Sequence, residues 1–164
     1  MRKLVIPSAV LVLATAVLAF RPAPPPPEVG VSAINGVWKA VHVAFASSDT
    51  SWASELSNPS ITIFTDGYWS IARISGDGPR ADLPEDPTDE QLLEAFRRFH
   101  GSAGTYSVSG STVSGTTLVS RNPNQMSADN TWSNEYWMKD GKLTREYKND
   151  ENGNTWTVTF ERLE

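Results

Sequence analysis

Two short stretches, Gly36-Val37-Trp38 and Phe160-Glu161-Arg162-Leu163-Glu164, frame the part of this chain that has strand-like sequence. A series of β-hairpin signals lies between them. In a closed antiparallel barrel the first and last strands are neighbours, so Trp38 and Arg162 can meet. A guanidinium lying over an indole contributes about 0.5–2 kcal/mol. We therefore predict that Gly36, Trp38 and Arg162 close one end of a β-barrel.

The segments inside this frame alternate at period two, which is typical of strands. Asp66-Gly67 and Asp140-Gly141 are two-residue hairpin signals, because both positions tolerate positive φ. About eight strands are predicted, and that number closes into an all-β, up-and-down antiparallel barrel. The predicted strands cover residues 34–46, 60–65, 68–75, 103–109, 111–121, 131–139, 142–148 and 155–163, and residues 47–58 form a long loop.

One segment breaks the strand pattern and predicts a helix over residues 89–100, inserted between the third and fourth strands. Thr88 and Gln91 have the spacing of a capping box. We expect His100 to stabilise the C-terminal end of this helix, where the helix dipole favours positive charge. Apolar residues recur at helical spacing on one face, at Leu92, Phe96 and Phe99.

The first 31 residues are expected to lie outside the barrel. Residues 1–19 carry Arg2 and Lys3 before an apolar run of about 15 residues and end in Ala19, the pattern of a cleaved signal peptide. A membrane-spanning helix needs about 20 apolar residues. Residues 20–31 are rich in proline and predict a stiff linker. We expect a domain over residues 32–164 that is secreted or periplasmic and has no stable membrane anchor after cleavage.

Composition excludes several classes of function. The chain has 14 Lys and Arg against 19 Asp and Glu, for a net charge of −5, and loss of Arg2 and Lys3 leaves 12 against 19, or −7. Such an acidic protein is unsuited to nucleic acid. Zero cysteines exclude disulfides, thiol catalysis and thiolate metal ligands. The two histidines lack metal-ligand spacing, so we predict no metal and no cofactor.

The order of several motifs resembles that of the bacterial secreted lipocalin-like proteins, which belong to the calycin superfamily. The resemblance covers Gly36 to Glu164 and implies a calycin-type barrel, often with an internal pocket. It implies no catalytic residues. The disulfides usual in animal lipocalins cannot form here. Besides the framing stretches, the motifs are Phe64-Thr65-Asp66-Gly67-Tyr68-Trp69-Ser70, Gly104-Thr105-Tyr106 and Asn122-Pro123-Asn124.

We predict that the lumen of the barrel binds a small, mostly apolar ligand. Period-two alternation places His42 on the same face as Trp38, and therefore in the lumen, unless the register slips by one residue. Both faces of the strand at residues 131–139 carry aromatic residues, so alternation leaves its inward face open. The predicted ligand-binding residues are Trp38, His42, Tyr68, Tyr136 and Trp156.

Two other functions stay open from the sequence. Glu135 and Glu146 on neighbouring strands, with His42, could support an isomerase or cyclase in the lumen. No catalytic motif is present, so no catalytic residue is assigned. Alternatively, the loops at residues 47–58 and 76–87 could form a protein-binding or inhibitory surface around Trp52. The sequence specifies neither the ligand nor the oligomeric state.

Overall fold

A computed structural model describes residues 30–76, 78–127 and 129–164, except the side chains of Val31 and Ser32. The predicted signal peptide and most of the predicted linker lie outside these residues. The described elements are α1 (Val31–Ile34), β1 (Gly36–Ala46), β2 (Ser51–Glu55), β3 (Ser60–Phe64), β4 (Tyr68–Ile74), α2 (Asp89–Arg98), β5 (Phe99–Ser109), β6 (Thr112–Ser120), a single 3-10 turn (Pro123–Gln125), β7 (Thr131–Lys139), β8 (Lys142–Lys148) and β9 (Thr155–Arg162). No helix in these ranges has the length and hydropathy needed to cross a membrane.

Eight antiparallel strands close into an up-and-down barrel in the order β1-β3-β4-β5-β6-β7-β8-β9, and β9 pairs again with β1. The long strand β1 has two partners on its other side, since its first residues pair with β3 and its last with β2. The helix α2 lies between β4 and β5. The predicted all-β barrel, with one helix between its third and fourth strands, is confirmed.

Arg162 joins the two ends of the described chain at the closed end of the barrel. Its guanidinium carbon lies 4.2 Å from the centroid of the Trp38 ring. Nη1 donates to the Asn35 carbonyl at 2.7 Å, and Nη2 donates to the Ala33 carbonyl at 2.9 Å. Gly36 has φ +137°, and a Cβ at this position would overlap the guanidinium of Arg162. Only glycine therefore fits beside this contact.

The same end of the barrel holds the packed core. The indole Nε1 of Trp38 donates to the carbonyl of Ile34 at 2.7 Å. This hydrogen bond joins α1 to β1. Phe64 contacts Tyr106 and Tyr136 edge to face, with ring centroids 5.2 and 6.0 Å apart. The buried apolar residues are Ile34, Trp38, Ala40, Phe64, Tyr106, Val113, Tyr136, Leu143 and Phe160.

Two local predictions are wrong, and in both places strand pairing prevails over local sequence preference. Residues 51–55, predicted as loop, form β2, because Trp52 pairs with Phe45 and lies against Trp156 with ring centroids 5.5 Å apart. The predicted helix ends two residues early, at Arg98. Phe99 and His100 instead begin β5 and pair with β4.

Candidate functional site

The interior above the packed end holds a cavity of about 730 Å³. Small-molecule sites in proteins typically enclose about 300–1,000 Å³. All nine strands contribute residues to its walls. In β7 the lumenal residues are Trp132, Asn134 and Tyr136, which settles the inward face of that strand. The cavity is therefore built by the barrel itself and not by a surface loop.

The mouth of the cavity is bordered by loops and by the helix α2. Arg98 donates from Nε to the Ser75 carbonyl at 2.9 Å and from Nη2 to the Gly78 carbonyl at 2.7 Å. Arg121 donates to the Phe96 carbonyl at 2.7 Å and lies over the Phe96 ring. These two arginines therefore hold α2 beside the mouth. None of the residues of α2 is buried.

Two tryptophans form a rigid part of the cavity wall. Trp69 and Trp132 meet edge to face, with ring centroids 5.3 Å apart and an interplanar angle of 88°. Trp132 pairs with Gly115 on β6, and a Cβ at Gly115 would overlap the Trp132 indole. The missing side chain at residue 115 thus lets the Trp132 ring lie flat against the neighbouring strand.

Several hydrogen-bond donors in this wall have no protein partner. Four buried side-chain atoms lack a hydrogen-bond partner among the described residues, and all four residues line the cavity. Leaving a buried polar group unsatisfied costs about 1–3 kcal/mol. Three of these atoms are N–H groups, which can only donate. The four atoms are Thr62 Oγ1, Trp69 Nε1, Trp132 Nε1 and Arg145 Nε.

Two of the arginines that line the cavity, Arg73 and Arg145, form no ion pair with a described carboxylate. Removal from water lowers the pKa of Arg73 on β4, and the positive charge of Arg145 on β8 lowers this pKa further. In the described part of the chain the one ion pair joins Lys142 to Glu161, at the protein surface. Neither Arg73 nor Arg145 is therefore neutralised by a described carboxylate.

Arg145 also affects the hydroxyl group of Tyr136. Burial raises the pKa of Tyr136, and the neighbouring Arg145 opposes this shift.

The cavity is positive although the whole chain is acidic. Its charged lining residues, among those described, are Arg73, Arg121 and Arg145 against Glu55. His100 lies near the mouth with its Nε2 3.2 Å from Ser75 Oγ. Burial lowers the pKa of His100, as do the charges of Arg73 and Arg121. These surroundings therefore favour the neutral form of the ring.

The strand order, the closure of β9 onto β1, and an open lumen above a packed end decide the architecture. The fold is that of a lipocalin-like barrel. A crystal structure of a lipocalin-like protein from Bacteroides uniformis is similar to 80% of this chain and 99% of that chain, at 14% identity and a TM-score of 0.46. An uncharacterised protein from Bacteroides eggerthii is similar to 77% of this chain and 98% of that chain, at 12% identity and a TM-score of 0.41. No protein-family model and no curated protein matches the chain.

The lipocalin-like barrel brings together only some of the residues proposed from sequence. Tyr136 lines the lower cavity, and Trp156 lines its upper part next to Trp52. Trp38 is fully buried in the packed end and is not among the lining residues. Its contacts with Arg162 and Ile34 place it in the closure of the barrel, below the ligand space.

The predicted lumenal face of His42 is wrong. Val41 is an extra residue in the pairing of β1 with β9, because Ala40 pairs with Phe160 and His42 with the next residue, Thr159. This β-bulge reverses the alternation, so Val43 lines the cavity and His42 lies on the outer face. A ligand contact for His42 therefore has no structural basis.

Tyr68 was also predicted on the wrong face. Its side chain is 60% exposed and borders a groove on the outside of the barrel. The next residue, Trp69, points into the lumen in its place. One step in a strand exchanges the two faces, so choosing the wrong aromatic residue of this pair reverses the prediction.

The two candidate catalytic carboxylates lie outside the cavity. Glu135 and Glu146 pair across β7 and β8, and neither lines the lumen. Glu135 accepts hydrogen bonds from Ser111 Oγ at 2.6 Å and Thr112 Oγ1 at 2.7 Å. No three His, Asp or Glu residues come together as a metal-binding group within the described ranges. The groups on which an enzyme mechanism depended are thus absent from the lumen.

Sequence reasoning missed Arg73, Arg145, Trp69 and Trp132. One usable signal was present in β4, where Trp69, Ile71 and Arg73 alternate on a single face. An arginine that follows two large apolar residues on the inward face of a strand is unusual, because inward positions of a barrel strand are mostly apolar. No comparable signal marks Trp132, whose position depends on Gly115 of another strand.

Proposed function

We propose that this protein binds a small organic molecule inside its lipocalin-like barrel, and that it acts as a binding protein rather than as an enzyme. The observation that carries the proposal is the cavity of about 730 Å³ enclosed by strands from the whole barrel. The signal-peptide pattern of residues 1–19 supports a site of action outside the cytoplasm.

The barrel is packed at one end and holds a cavity above it, and this contrast supports a ligand-binding role. Protein interiors are packed to the density of organic crystals, with few voids larger than one water molecule. The end closed by Trp38 follows this rule. The cavity walls, by contrast, carry small side chains at positions that larger residues could fill, among them Ser60, Ser102 and Thr117.

The chemical character of the walls supports an organic ligand with an apolar body. Ile71, Trp156 and Val158 line the cavity from three different strands. Burial of apolar ligand surface against such side chains contributes about 25 cal/mol per Å². The polar donors lie among these apolar residues, which is the usual composition of a small-molecule site.

Fluorescence titration with N-phenyl-naphthylamine, an uncharged apolar probe, tests this proposal. We expect saturable binding with one site per chain, and loss of that binding in Val158→Trp, which fills the lumen. Thr157→Trp is the matched control, because residue 157 is adjacent but faces outward, and it should bind the probe as the unaltered protein does. Equal binding by both variants would contradict a lumenal site.

A further inference from the structure

We propose that the free edge of β2 is a dimerisation surface, where the β2 strand of a second copy of this chain pairs antiparallel about a two-fold axis at Ala53. In this dimer the two barrels share one continuous sheet in the order β1-β2-β2-β1. The inference concerns an outer edge of the barrel and does not depend on the ligand in the lumen.

The position of β2 in the sheet leaves one of its edges free. Residues Ser51–Glu55 pair with β1 on one side, and no described element pairs with them on the other. Each of the other described strands has a neighbour on both sides. All five residues of β2 are exposed. A free edge presents unpaired N–H and C=O groups, to which another strand can bind.

Two hydrogen bonds at the ends of β2 show which of its backbone groups point at β1. Ser47 N donates to the Thr50 carbonyl at 2.9 Å. At the other end, Leu56 N donates to the Val41 carbonyl at 2.7 Å. Hydrogen-bonded pairs alternate with non-bonded pairs along an antiparallel ladder. The even-numbered residues from 50 to 56 therefore direct their N–H and C=O groups at β1.

The odd-numbered residues Ser51, Ala53 and Glu55 consequently direct their backbone groups at the free edge. None of their N–H groups donates to another residue in the described part of the chain. The Glu55 carbonyl accepts from Ser54 Oγ at 3.2 Å and keeps a second lone pair. These groups are thus available to a strand that approaches from outside.

The free groups of β2 are complementary to themselves. When two β2 strands pair with Ala53 opposite Ala53, Ser51 of each copy lies opposite Glu55 of the other. Such opposed residues exchange two N–H···O=C bonds in each pair, so all the outward N–H groups of both copies gain an acceptor. A register shifted by one residue would instead oppose them to groups that already bond to β1.

The side chains of β2 permit this register. Ala53 is small and faces its own copy at the axis, while Trp52, which is 43% exposed, lies beside Ser54 of the second copy. Glu55 lies opposite Ser51, so no two like charges are directly opposed. The strand contains neither proline nor lysine, and its pairing with β1 has no bulge. These are the usual devices that block a free edge.

A second copy is a better occupant of this edge than the N-terminal segment of the same chain. That segment contains Pro22 and Pro24 to Pro27, and proline has no N–H to donate to a ladder. Most homodimers have a two-fold axis and use the same surface of both subunits. The self-complementary edge of β2 meets this requirement without any other component.

Sedimentation velocity of the protein at increasing concentration tests the inference. A pair of five-residue strands is a small interface, so we expect a dimer that dissociates on dilution. The average mass should rise from that of a monomer at about 5 µM towards that of a dimer at about 500 µM. A monomer throughout this range would overturn the inference.

Substitutions at Ala53 locate the interface. We expect Ala53→Lys to raise the dissociation constant of the dimer at least about tenfold, because it places two like charges opposite each other at the axis. Ala53→Ser keeps a small side chain and should dimerise as the unaltered protein does. Ser107→Lys is the matched control, since it adds the same charge at an exposed position of β5. Urea denaturation should show that all three variants keep the stability of the unaltered monomer.

Amide hydrogen exchange, measured residue by residue, tests the register. We expect exchange at Ser51, Ala53 and Glu55 to be at least about twofold slower at 500 µM than at 5 µM, because these amides are protected only in the dimer. The amides of Trp52 and Ser54 bond to β1 and should exchange equally at both concentrations. A dimer that persists in Ala53→Lys, or β2 amides that ignore concentration, would place the interface elsewhere and overturn the inference. Neither result would affect the proposed binding site in the lumen.

Discussion

Arg162 connects the last strand to residues 33–38 through one side chain. Its guanidinium lies over the Trp38 ring and donates to backbone carbonyls of Asn35 and Ala33, on either side of the end of α1. Because Gly36 provides the space for this contact, the three residues act as one unit. The residue that begins the barrel and the residue that ends it therefore depend on each other structurally.

Arg162→Met should lower the free energy of unfolding by about 2 kcal/mol, measured by urea denaturation, because it removes the cation–π contact and two charge-assisted hydrogen bonds. Lys142→Met is the matched control. It breaks an exposed ion pair with Glu161 and should have no measurable effect. Similar losses in the two variants would contradict the role assigned to Arg162.

His100 shows how a residue at the boundary of two elements acquires a different role. The helical pattern predicted that His100 would end α2 as a cation, but β5 begins at Phe99 and pairs Arg73 with His100. Burial and two nearby arginines then lower the pKa of His100. A residue expected to carry a positive charge at a helix end instead lies in a strand, where its surroundings disfavour the charged form.

The folded protein should therefore lose stability as the pH falls below about 6.5, the ordinary pKa of histidine. In that range the unfolded chain takes up a proton at His100 that the folded chain does not, so acid favours unfolding. We expect the loss of unfolding free energy between pH 7.5 and pH 5.5 to be smaller in His100→Gln, measured by urea denaturation at each pH. An unchanged pH profile would contradict a lowered pKa of His100 in the folded protein.

At the scale of elements, alternation predicted the barrel strands well but could not predict their irregularities. The β-bulge at Val41 changes the face of His42, and its extra residue has no signature in a run of apolar side chains. A hairpin signal such as Asp66-Gly67 acts within a few residues and can be read locally. A bulge depends on the strand across the barrel, here β9.

At the scale of the whole molecule, the closure of the barrel was predictable while the ligand site was not. Trp38 and Arg162 mark the ends of the fold, and their meeting follows once the strands close. The tryptophans and arginines that line the cavity come from different strands, among them β4, β7 and β8, so they share no pattern along the chain. The one partial indication of the cavity wall in the sequence was in β4, where Trp69 and Arg73 lie on the same face.

The molecule offers a small ligand two places, and they must be told apart. Besides the lumen, an outer groove of about 330 Å³ is bordered by Ile63, Tyr68, Leu118 and Val119. An apolar probe could adhere to this exposed groove without entering the barrel. Binding measured in solution alone does not identify the site, and the substitution of Val158 does so only indirectly.

A crystal structure of the protein with N-phenyl-naphthylamine is the most direct test of a binding site in the lumen. The account predicts electron density for one probe molecule inside the barrel, against Trp69, Trp132 and Val158. Density confined to the outer groove beside Tyr68, or an interior without probe at saturating concentration, would contradict it.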